Sequence, residues 1–183
     1  MSLLSYNELV DLVEQGVIDL VDLKDINGTS IDVYLGNEIM VEQAPNYSES
    51  MGVVSLKDRG RLSMMKIDIT DGYYDLKPGE FILAHTIEKF YLPDNISAEF
   101  KLNSSGARIG LENALATWCD PHWNDSVLTL ELKNFCNWHS IRLDHKCRIG
   151  QMIFHRSSGV PKDRGYGVRG RYNGDQSVSG VKA

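Results

Sequence analysis

The stretch Ser126-Val127-Leu128-Thr129-Leu130-Glu131-Leu132 indicates the fold class of this chain. Its leucines alternate with Thr129 and Glu131, which is the period-two pattern of a β-strand with one apolar face. If Glu131 points the same way as Thr129, both side chains face away from the leucines. The carboxylate then lies either on an ordinary solvent face or in a partly buried site, where burial raises its pKa.

Shorter runs of the same kind precede and follow this stretch, and turn residues separate them. The turn signals are Gly36-Asn37, Asp71-Gly72, Lys77-Pro78-Gly79-Glu80 and Pro93-Asp94-Asn95. The strand patterns cover residues 30–35, 67–69, 81–84, 96–102, 141–143 and 149–154. Many short strands with regular turn signals predict an all-β sandwich or barrel.

The N-terminal segment has a helical pattern instead. Apolar residues recur on one face of residues 5–17, Ser5 is a suitable N-cap, and Glu8 stands three residues later, as in a capping box. Gly16 predicts the end of this helix. The expected fold is therefore mainly β with a short N-terminal helix.

The chain is expected to form one domain over residues 1–183, because its length suits a single apolar core. Residues from about 160 onward are rich in Gly, Arg and Ser, so we expect a tail that is mobile until it meets a ligand or a neighbouring subunit. From Arg156 onward, six basic residues and two acidic ones give a charge of +4 and leave −10 on the rest. A basic tail suits an anionic ligand, and it equally suits a solvated terminus.

Composition narrows the class of protein further. The net charge of −6 argues against a general nucleic-acid binder. No apolar run approaches the roughly 20 residues that cross a bilayer, and the first residues lack the basic region and cleavage site of a signal peptide. Three cysteines are too few for a disulfide framework and fit a reducing compartment. We therefore expect a cytoplasmic protein without a membrane or nucleic-acid partner.

The segment Asn103-Ser104-Ser105-Gly106-Ala107-Arg108-Ile109-Gly110-Leu111 has the composition of a short anion-binding loop. Hydroxyl and backbone N–H groups donate to phosphate oxygens, and an arginine binds them through two parallel hydrogen bonds. A surface turn followed by a structural arginine has the same composition. The pattern alone leaves both interpretations open.

Three segments together resemble motifs of the dCTP deaminase/dUTPase family. Residues 104–111 are similar to its phosphate motif, Ser-Ser-x-Ala-Arg followed by Gly-Leu, and Asp120-Pro121-His122-Trp123 resembles its Asp-Pro-Gly-Trp. Leu130-Glu131-Leu132-Lys133-Asn134 is similar to its catalytic Leu-Glu-x-x-Asn. Weaker likenesses at residues 27–36, 76–84 and 171–176 extend the match, in order, from about residue 26 to residue 178.

This resemblance implies a dUTPase-like distorted β-barrel or jelly roll and a homotrimer with sites between subunits. It also implies hydrolytic deamination of dCTP to dUTP and ammonia. Deaminases of the family carry a glutamate at the position of Glu131, whereas dUTPases in general lack it and use an aspartate of the Asp120 type to activate water. Glu131 therefore favours deamination, and Asp120 leaves an additional pyrophosphatase activity open.

The resemblance also implies residue roles. Glu131 is the expected general base and proton shuttle, and Ser105 and Arg108 are expected to hold the water and the developing oxyanion. The other implied substrate-binding positions are Asn103, Ser104 and Gly106 of the phosphate motif, backbone groups at Ala116 and Thr117, Asp120 on the deoxyribose 3′-hydroxyl, Thr129 and Leu130, and Tyr166, Arg171 and Gln176 of the tail. Trp123 is either a wall against a 2′-hydroxyl or a core residue.

Zinc chemistry is not expected. The chain has neither the His-x-Glu nor the Pro-Cys-x-x-Cys motif of zinc-dependent cytidine deaminases, and its five histidines and three cysteines show no ligand spacing. We therefore predict no metal site formed by protein side chains. Magnesium is expected only as an ion carried by the substrate phosphates.

Two departures from the family pattern keep alternatives open. Asn103 stands where the family usually has Arg or Lys, and His122 replaces the usual glycine. The alternatives are a dUTP pyrophosphatase, a bifunctional deaminase that yields dUMP, and a catalytically idle nucleotide-binding regulator. Asn103 favours the idle regulator, whereas the joint presence of Glu131, Arg108 and Asp120 argues against it.

Overall fold

The computed structural model describes residues 2–44, 54–57, 60–114 and 116–182, so the two end residues of the expected domain lie outside the described part. Its elements, in chain order, are β1 (Ser2–Leu3), α1 (Tyr6–Glu14), a 3-10 turn (Leu23–Asp25), β2 (Ile31–Tyr34), β3 (Glu38–Glu42), β4 (Met64–Asp68), β5 (Tyr73–Leu76), β6 (Phe81–Tyr91), β7 (Ile96–Leu102), α2 (Ser104–Arg108), β8 (Leu111–Asn113), β9 (Trp118–Cys119), β10 (Asn124–Asn134), β11 (Ile141–Asp144), β12 (Arg148–Arg156) and α3 (Tyr166–Arg169).

Two larger sheets form the body of the molecule. One has the order β1-β12-β7-β9, with β2 also paired to β12, and the other has the order β4-β3-β6-β10-β8. Strands β5 and β11 form a separate two-stranded antiparallel sheet. The β6–β10 and β2–β12 pairings carry register shifts, so the sheets are irregular. These findings confirm the mainly β, distorted architecture with a short N-terminal helix.

The N-terminal helix begins and ends where its signals predict. Ser5 is the N-cap, and the carboxylate of Glu8 accepts a hydrogen bond from the backbone N–H of Ser5 at 3.0 Å. Gly16, with a φ of 71°, lies just beyond the end of α1. Leu9 and Leu12 face the core, which ties the helix to the sheets.

The core lies between the two larger sheets. It is formed by fully buried aliphatic and aromatic side chains of both sheets, including Ile31, Ile39, Ile82, Phe90, Phe100, Leu132 and Phe154. Strand β10 lies between β6 and β8, and its alternate leucines Leu130 and Leu132 are buried in this core. The opposite face of β10, with Thr129 and Glu131, is left for the site described below.

One sequence expectation was wrong. Residues 104–108 were expected in a loop, but they form the short helix α2, which Asn103 caps by accepting a hydrogen bond from the N–H of Gly106 at 2.6 Å. In the tail, the side chains of Val178 and Asp175 are buried. No helix of the described part is long and apolar enough to cross a membrane.

Candidate active site

A cavity of about 840 Å³ lies against the outer face of β10. Its walls come from β3, β4, β6, the β9 region and the C-terminal tail. Of the residues singled out from the sequence, Ala116, Trp123, Thr129, Glu131 and Tyr166 line it. Most of the remaining wall is apolar, with Met40, Met64, Phe81, Leu83, Trp118 and Val127.

Glu131 reaches this cavity because of the strand alternation. In the sheet it pairs with Leu83 of β6, and its backbone carbonyl accepts the N–H of Ala114 at 2.9 Å. Thr129 and Glu131 face the cavity, whereas Leu130 lies on the core side and is not part of the wall. The carboxylate therefore lies in a partly buried site, which was the second of the two alternatives that the sequence left open.

The surroundings of Glu131 suit proton transfer. Burial raises the pKa of its carboxyl group to about 7. A hydrogen bond from its own backbone N–H lowers the pKa to a smaller extent. Its buried Oε2 has no hydrogen-bond partner among the described residues. Such an unpaired oxygen costs roughly 1–3 kcal/mol, so its retention points to a functional role. A carboxyl group with a pKa near neutrality can both take up and return a proton.

The segment after β9 forms a tight turn. The carbonyl of Asp120 accepts the N–H of Trp123 at 3.3 Å, with Pro121 at the second position and His122, at a φ of 68°, at the third. A positive φ at the third position is the feature of type II turns and normally requires glycine. His122 therefore keeps the turn that glycine would form, at a cost in backbone strain.

Asp120 itself lies on the rim of this region and does not line the cavity. Its Oδ1 accepts a hydrogen bond from Nε1 of Trp118 at 2.9 Å. Thr117 likewise stays outside the wall, and its carbonyl accepts the N–H of Phe100 at 3.2 Å. Of the backbone positions that the sequence indicated, Ala116 is the one at the cavity.

Trp123 is a core residue that also lines the cavity. It is buried and stacks on Phe90, with ring centroids 5.3 Å apart, which makes it a core residue. Its Nε1 donates to the carbonyl of Tyr172 at 3.0 Å, and its ring also lines the cavity.

The residues of α2 do not line the cavity that contains Glu131. Ser104, Ser105 and Arg108 are exposed, and none of them lines the cavity or hydrogen-bonds through its side chain to another described residue. Asn103 is committed to the fold, since its Oδ1 caps Gly106 and its Nδ2 donates to the carbonyl of Arg148 at 2.8 Å.

The C-terminal tail forms part of the cavity wall, but only one of its three predicted site residues lies there. Tyr166 lines the cavity, and its N–H donates to the carbonyl of Pro121 at 2.9 Å. Arg171 is exposed outside the wall. Gln176 also lies outside, where its Oε1 accepts from Lys89 and its Nε2 donates to the carbonyl of Asp125 at 2.8 Å.

The sequence analysis missed several residues at the cavity. Trp118, Arg61 and Lys182 all contribute to its wall, and Lys182 forms an ion pair with the buried Asp175. Arg61 makes no ion pair with any described residue. Trp118 had a signal, because it stands two residues before the motif Asp120-Pro121-His122-Trp123. Lys182 had the signal of the basic tail, whereas nothing in the local sequence distinguishes Arg61 from a surface charge.

A metal site of protein side chains is not formed in the part of the chain described here. No three His, Cys, Asp or Glu side chains lie close enough together there to hold an ion.

Comparisons with known proteins place the chain in a family. Residues 3–157 match the model of the dCTP deaminase-like family. The dUMP-forming dCTP deaminase of Aquifex aeolicus is 32% identical over 178 residues, covering 96% of this chain and 92% of that protein. The dUMP-forming dCTP deaminase of Acidothermus cellulolyticus is 36% identical over 163 residues, covering 87% and 82%.

The fold is similar to a solved structure as well. The 2′-deoxycytidine 5′-triphosphate deaminase of Agrobacterium tumefaciens superposes with a TM-score of 0.65 at 18% identity, covering 85% of this chain. The chain spans about half, 48%, of that longer protein, and at this identity the likeness concerns the fold. The match of residues 3–157 and the identity along nearly the whole chain show that this protein belongs to the dCTP deaminase/dUTPase family.

Proposed function

We propose that this protein deaminates dCTP hydrolytically to dUTP and ammonia, with Glu131 as the general base and proton shuttle and without zinc. The observation that carries the proposal is the partly buried Glu131 carboxyl, which faces a cavity of about 840 Å³ with a pKa raised to about 7 and with Oε2 unpaired among the described residues.

The reaction needs one group that moves protons in both directions. The Glu131 carboxylate takes a proton from water as the water oxygen bonds to C4 of cytosine, and it passes that proton to ring N3. It then takes the proton of the new C4 hydroxyl and gives it to the amino group, which leaves as ammonia while the C4 carbonyl forms. Water and dCTP thus become dUTP and ammonia with no net change at Glu131.

The phosphate-binding residues are proposed to come from a neighbouring protomer. Ser104, Ser105 and Arg108 are exposed on α2 and are absent from the wall around Glu131. A homotrimer that places α2 of one chain at the cavity of the next would supply hydroxyl and guanidinium donors for the phosphates and the developing oxyanion. In this arrangement, Glu131 and the residues of α2 need not meet within one chain, because each site takes Glu131 from one chain and α2 from its neighbour.

The sugar and the tail complete the proposed site. Asp120 is proposed to bind the 3′-hydroxyl, Ala116 to contact the nucleoside through its backbone, and Tyr166 to close the cavity over it. Arg171 and Gln176 are proposed to reach the phosphates only after the tail moves, because both lie outside the wall in this conformation. Arg61 is positioned to add positive charge that Asn103 does not provide.

The proposed deamination at C4 of cytosine uses no metal ion bound by protein side chains. No described cluster of His, Cys, Asp or Glu fits a zinc ion, and the motifs of zinc-dependent deaminases are absent from the sequence. Magnesium is proposed to arrive on the substrate phosphates, where it neutralises part of their charge.

A second candidate function is the additional cleavage of dUTP to dUMP and pyrophosphate. Relatives from Aquifex aeolicus and Acidothermus cellulolyticus bear the name of dUMP-forming dCTP deaminases, and Asp120 is a carboxylate of the kind that activates water at phosphorus. The relative from Thermococcus kodakarensis, 37% identical over 114 residues, bears the name of a dCTP deaminase without that addition.

Product analysis separates these functions. The purified protein, treated with EDTA and then supplied with magnesium, is incubated with dCTP, and the products are resolved by chromatography. We expect dUTP and ammonia, whereas dUMP with pyrophosphate establishes the second function. Inertness toward dCTP, dCMP and dUTP alike would contradict both functions and support an idle nucleotide-binding protein.

A further inference from the structure

The side chain of Trp118 is unusually placed for a tryptophan. The residue is 49% exposed, yet it lines the cavity that contains Glu131. Strand β9 holds the residue through its pairing with β7, in which Trp118 lies opposite Glu99. Its ring also rests against that of His155, with centroids 5.8 Å apart. The backbone and one ring face are therefore fixed, while the rest of the indole stays open to the cavity.

The polar edge of this indole is directed at Asp120. Nε1 of Trp118 donates to Oδ1 of Asp120 at 2.9 Å, and a hydrogen bond to a carboxylate is stronger than one between neutral groups. The backbone of Asp120 is held independently, because its carbonyl accepts the N–H of Trp123 in the turn. With the backbone fixed by the turn and Oδ1 fixed by Trp118, the direction of Oδ2 is also set.

The second carboxylate oxygen remains available. Within the described part of the chain, Trp118 is the hydrogen-bond partner of the Asp120 side chain, and no ion pair holds Asp120. An exposed aspartate without such a restraint samples several rotamers, and ordering it on binding costs free energy. A pre-set carboxylate avoids that cost for a ligand hydroxyl that donates to Oδ2.

We infer that Trp118 is a positioning residue for sugar recognition: its indole N–H holds Oδ1 of Asp120 so that Oδ2 accepts the 3′-hydroxyl of a deoxynucleotide. This inference rests on the proposed function for the identity of the ligand. On this inference, discrimination between a 3′-hydroxyl and a 3′-hydrogen depends on Trp118 as well as on the motif residue Asp120.

The test compares binding of dCTP and 2′,3′-dideoxy-CTP by titration calorimetry, in the Glu131→Gln background so that no turnover interferes. Trp118→Phe keeps an aromatic ring against His155 and removes the N–H donor. Trp138→Phe is the matched control, because Trp138 is exposed in the β10–β11 connection and does not line the cavity. Asp120→Ala removes the carboxylate and gives the ratio of the two affinities that is expected when the contact with the 3′-hydroxyl is lost completely.

We expect the starting protein to bind dCTP at least tenfold more tightly than the dideoxynucleotide, which is the effect of one good hydrogen bond. Trp118→Phe should reduce this ratio at least threefold by weakening dCTP binding, and Trp138→Phe should leave it unchanged. An unchanged ratio in Trp118→Phe, or no preference in the starting protein, overturns the inference. Because the ratio is measured without catalysis, a failure of the deamination assay in the wild-type protein counts against the proposed function alone.

Discussion

Glu88 is buried and Glu131 is partly buried, and the surroundings of the two carboxyl groups differ. Burial raises the pKa of Glu88 to about 8, and both of its oxygens accept the N–H of Tyr34, at 3.1 and 3.2 Å. Glu88 does not line the cavity, whereas Glu131 does and has an oxygen without a partner in the described residues. A raised pKa therefore does not by itself identify the catalytic group. Glu131 differs from Glu88 in that its side chain reaches the cavity, where a substrate can bind.

The Glu88 carboxyl should make the folded state sensitive to pH. Its pKa is raised in the folded state, so its contribution to stability is present below the unfolded pKa of about 4.5 and is lost as the pH rises toward 8. The loss is at most about 1.4 kcal/mol per pH unit in that range. Glu88→Gln stays neutral and still accepts the N–H of Tyr34, so we expect its unfolding free energy to exceed that of the wild type at pH 8.

Urea unfolding at pH 5.5 and pH 8 measures this effect. Glu14→Gln is the control, because Glu14 is exposed at the end of α1. The account of Glu88 is wrong if the wild type and Glu88→Gln lose the same unfolding free energy between the two pH values.

At the scale of elements, the turn after β9 holds the tail. The ring of His122 lies over Gly165, where an added Cβ would come within 2.1 Å of the ring, and its Nε2 donates to the carbonyl of Val160 at 3.2 Å. His122→Gly suits the positive φ of the turn and removes both contacts with the tail. We therefore expect the body to keep its stability while the first part of the tail, around residues 160–165, is held less firmly.

Limited trypsin digestion checks this prediction, because Arg164, Arg169 and Arg171 lie in the tail. Cleavage there should be several times faster in His122→Gly than in the wild type, and Gly165→Ala should have a similar effect through its clash with the ring. Equal cleavage rates in His122→Gly and the wild type would show that His122 does not anchor the tail.

The elements also show which features of the structure could be predicted from local sequence signals. Alternation within β10 predicted both the strand and the side of Glu131, because period two is a property of the local backbone. The cap of α2 had a local signal too, since Asn103 is a favoured N-cap residue, but the two serines, the glycine and the arginine of the segment directed the interpretation to an anion-binding loop. The cavity had no local signal, because Met40, Trp118 and Lys182 are brought to Glu131 only by the fold.

At the scale of the whole molecule, the proposal that α2 of one chain serves the cavity of the next can be tested directly. If Glu131 of one protomer works with Arg108 of another, Glu131→Gln and Arg108→Ala chains should each be inactive and should complement each other. Random mixing in a symmetric trimer gives intact sites in about a quarter of positions. We therefore expect about a quarter of the wild-type deamination rate after the two variants are co-refolded.

The matched control for this experiment mixes Glu131→Gln with Glu131→Ala, which cannot generate an intact site. No recovery in the mixture of Glu131→Gln and Arg108→Ala would mean that both residues serve the same protomer's site, and the trimer with shared sites would be abandoned.

The most direct test of the central claim is to measure dCTP deamination and dCTP binding on the same preparations of the wild type and Glu131→Gln. Loss of the proton shuttle should lower the rate by a factor on the order of 10²–10⁴. The dissociation constant should stay within about threefold, because glutamine keeps the volume of the side chain and should fold at least as well without the buried acid. A Glu131→Gln protein that deaminates dCTP at the wild-type rate would contradict the account.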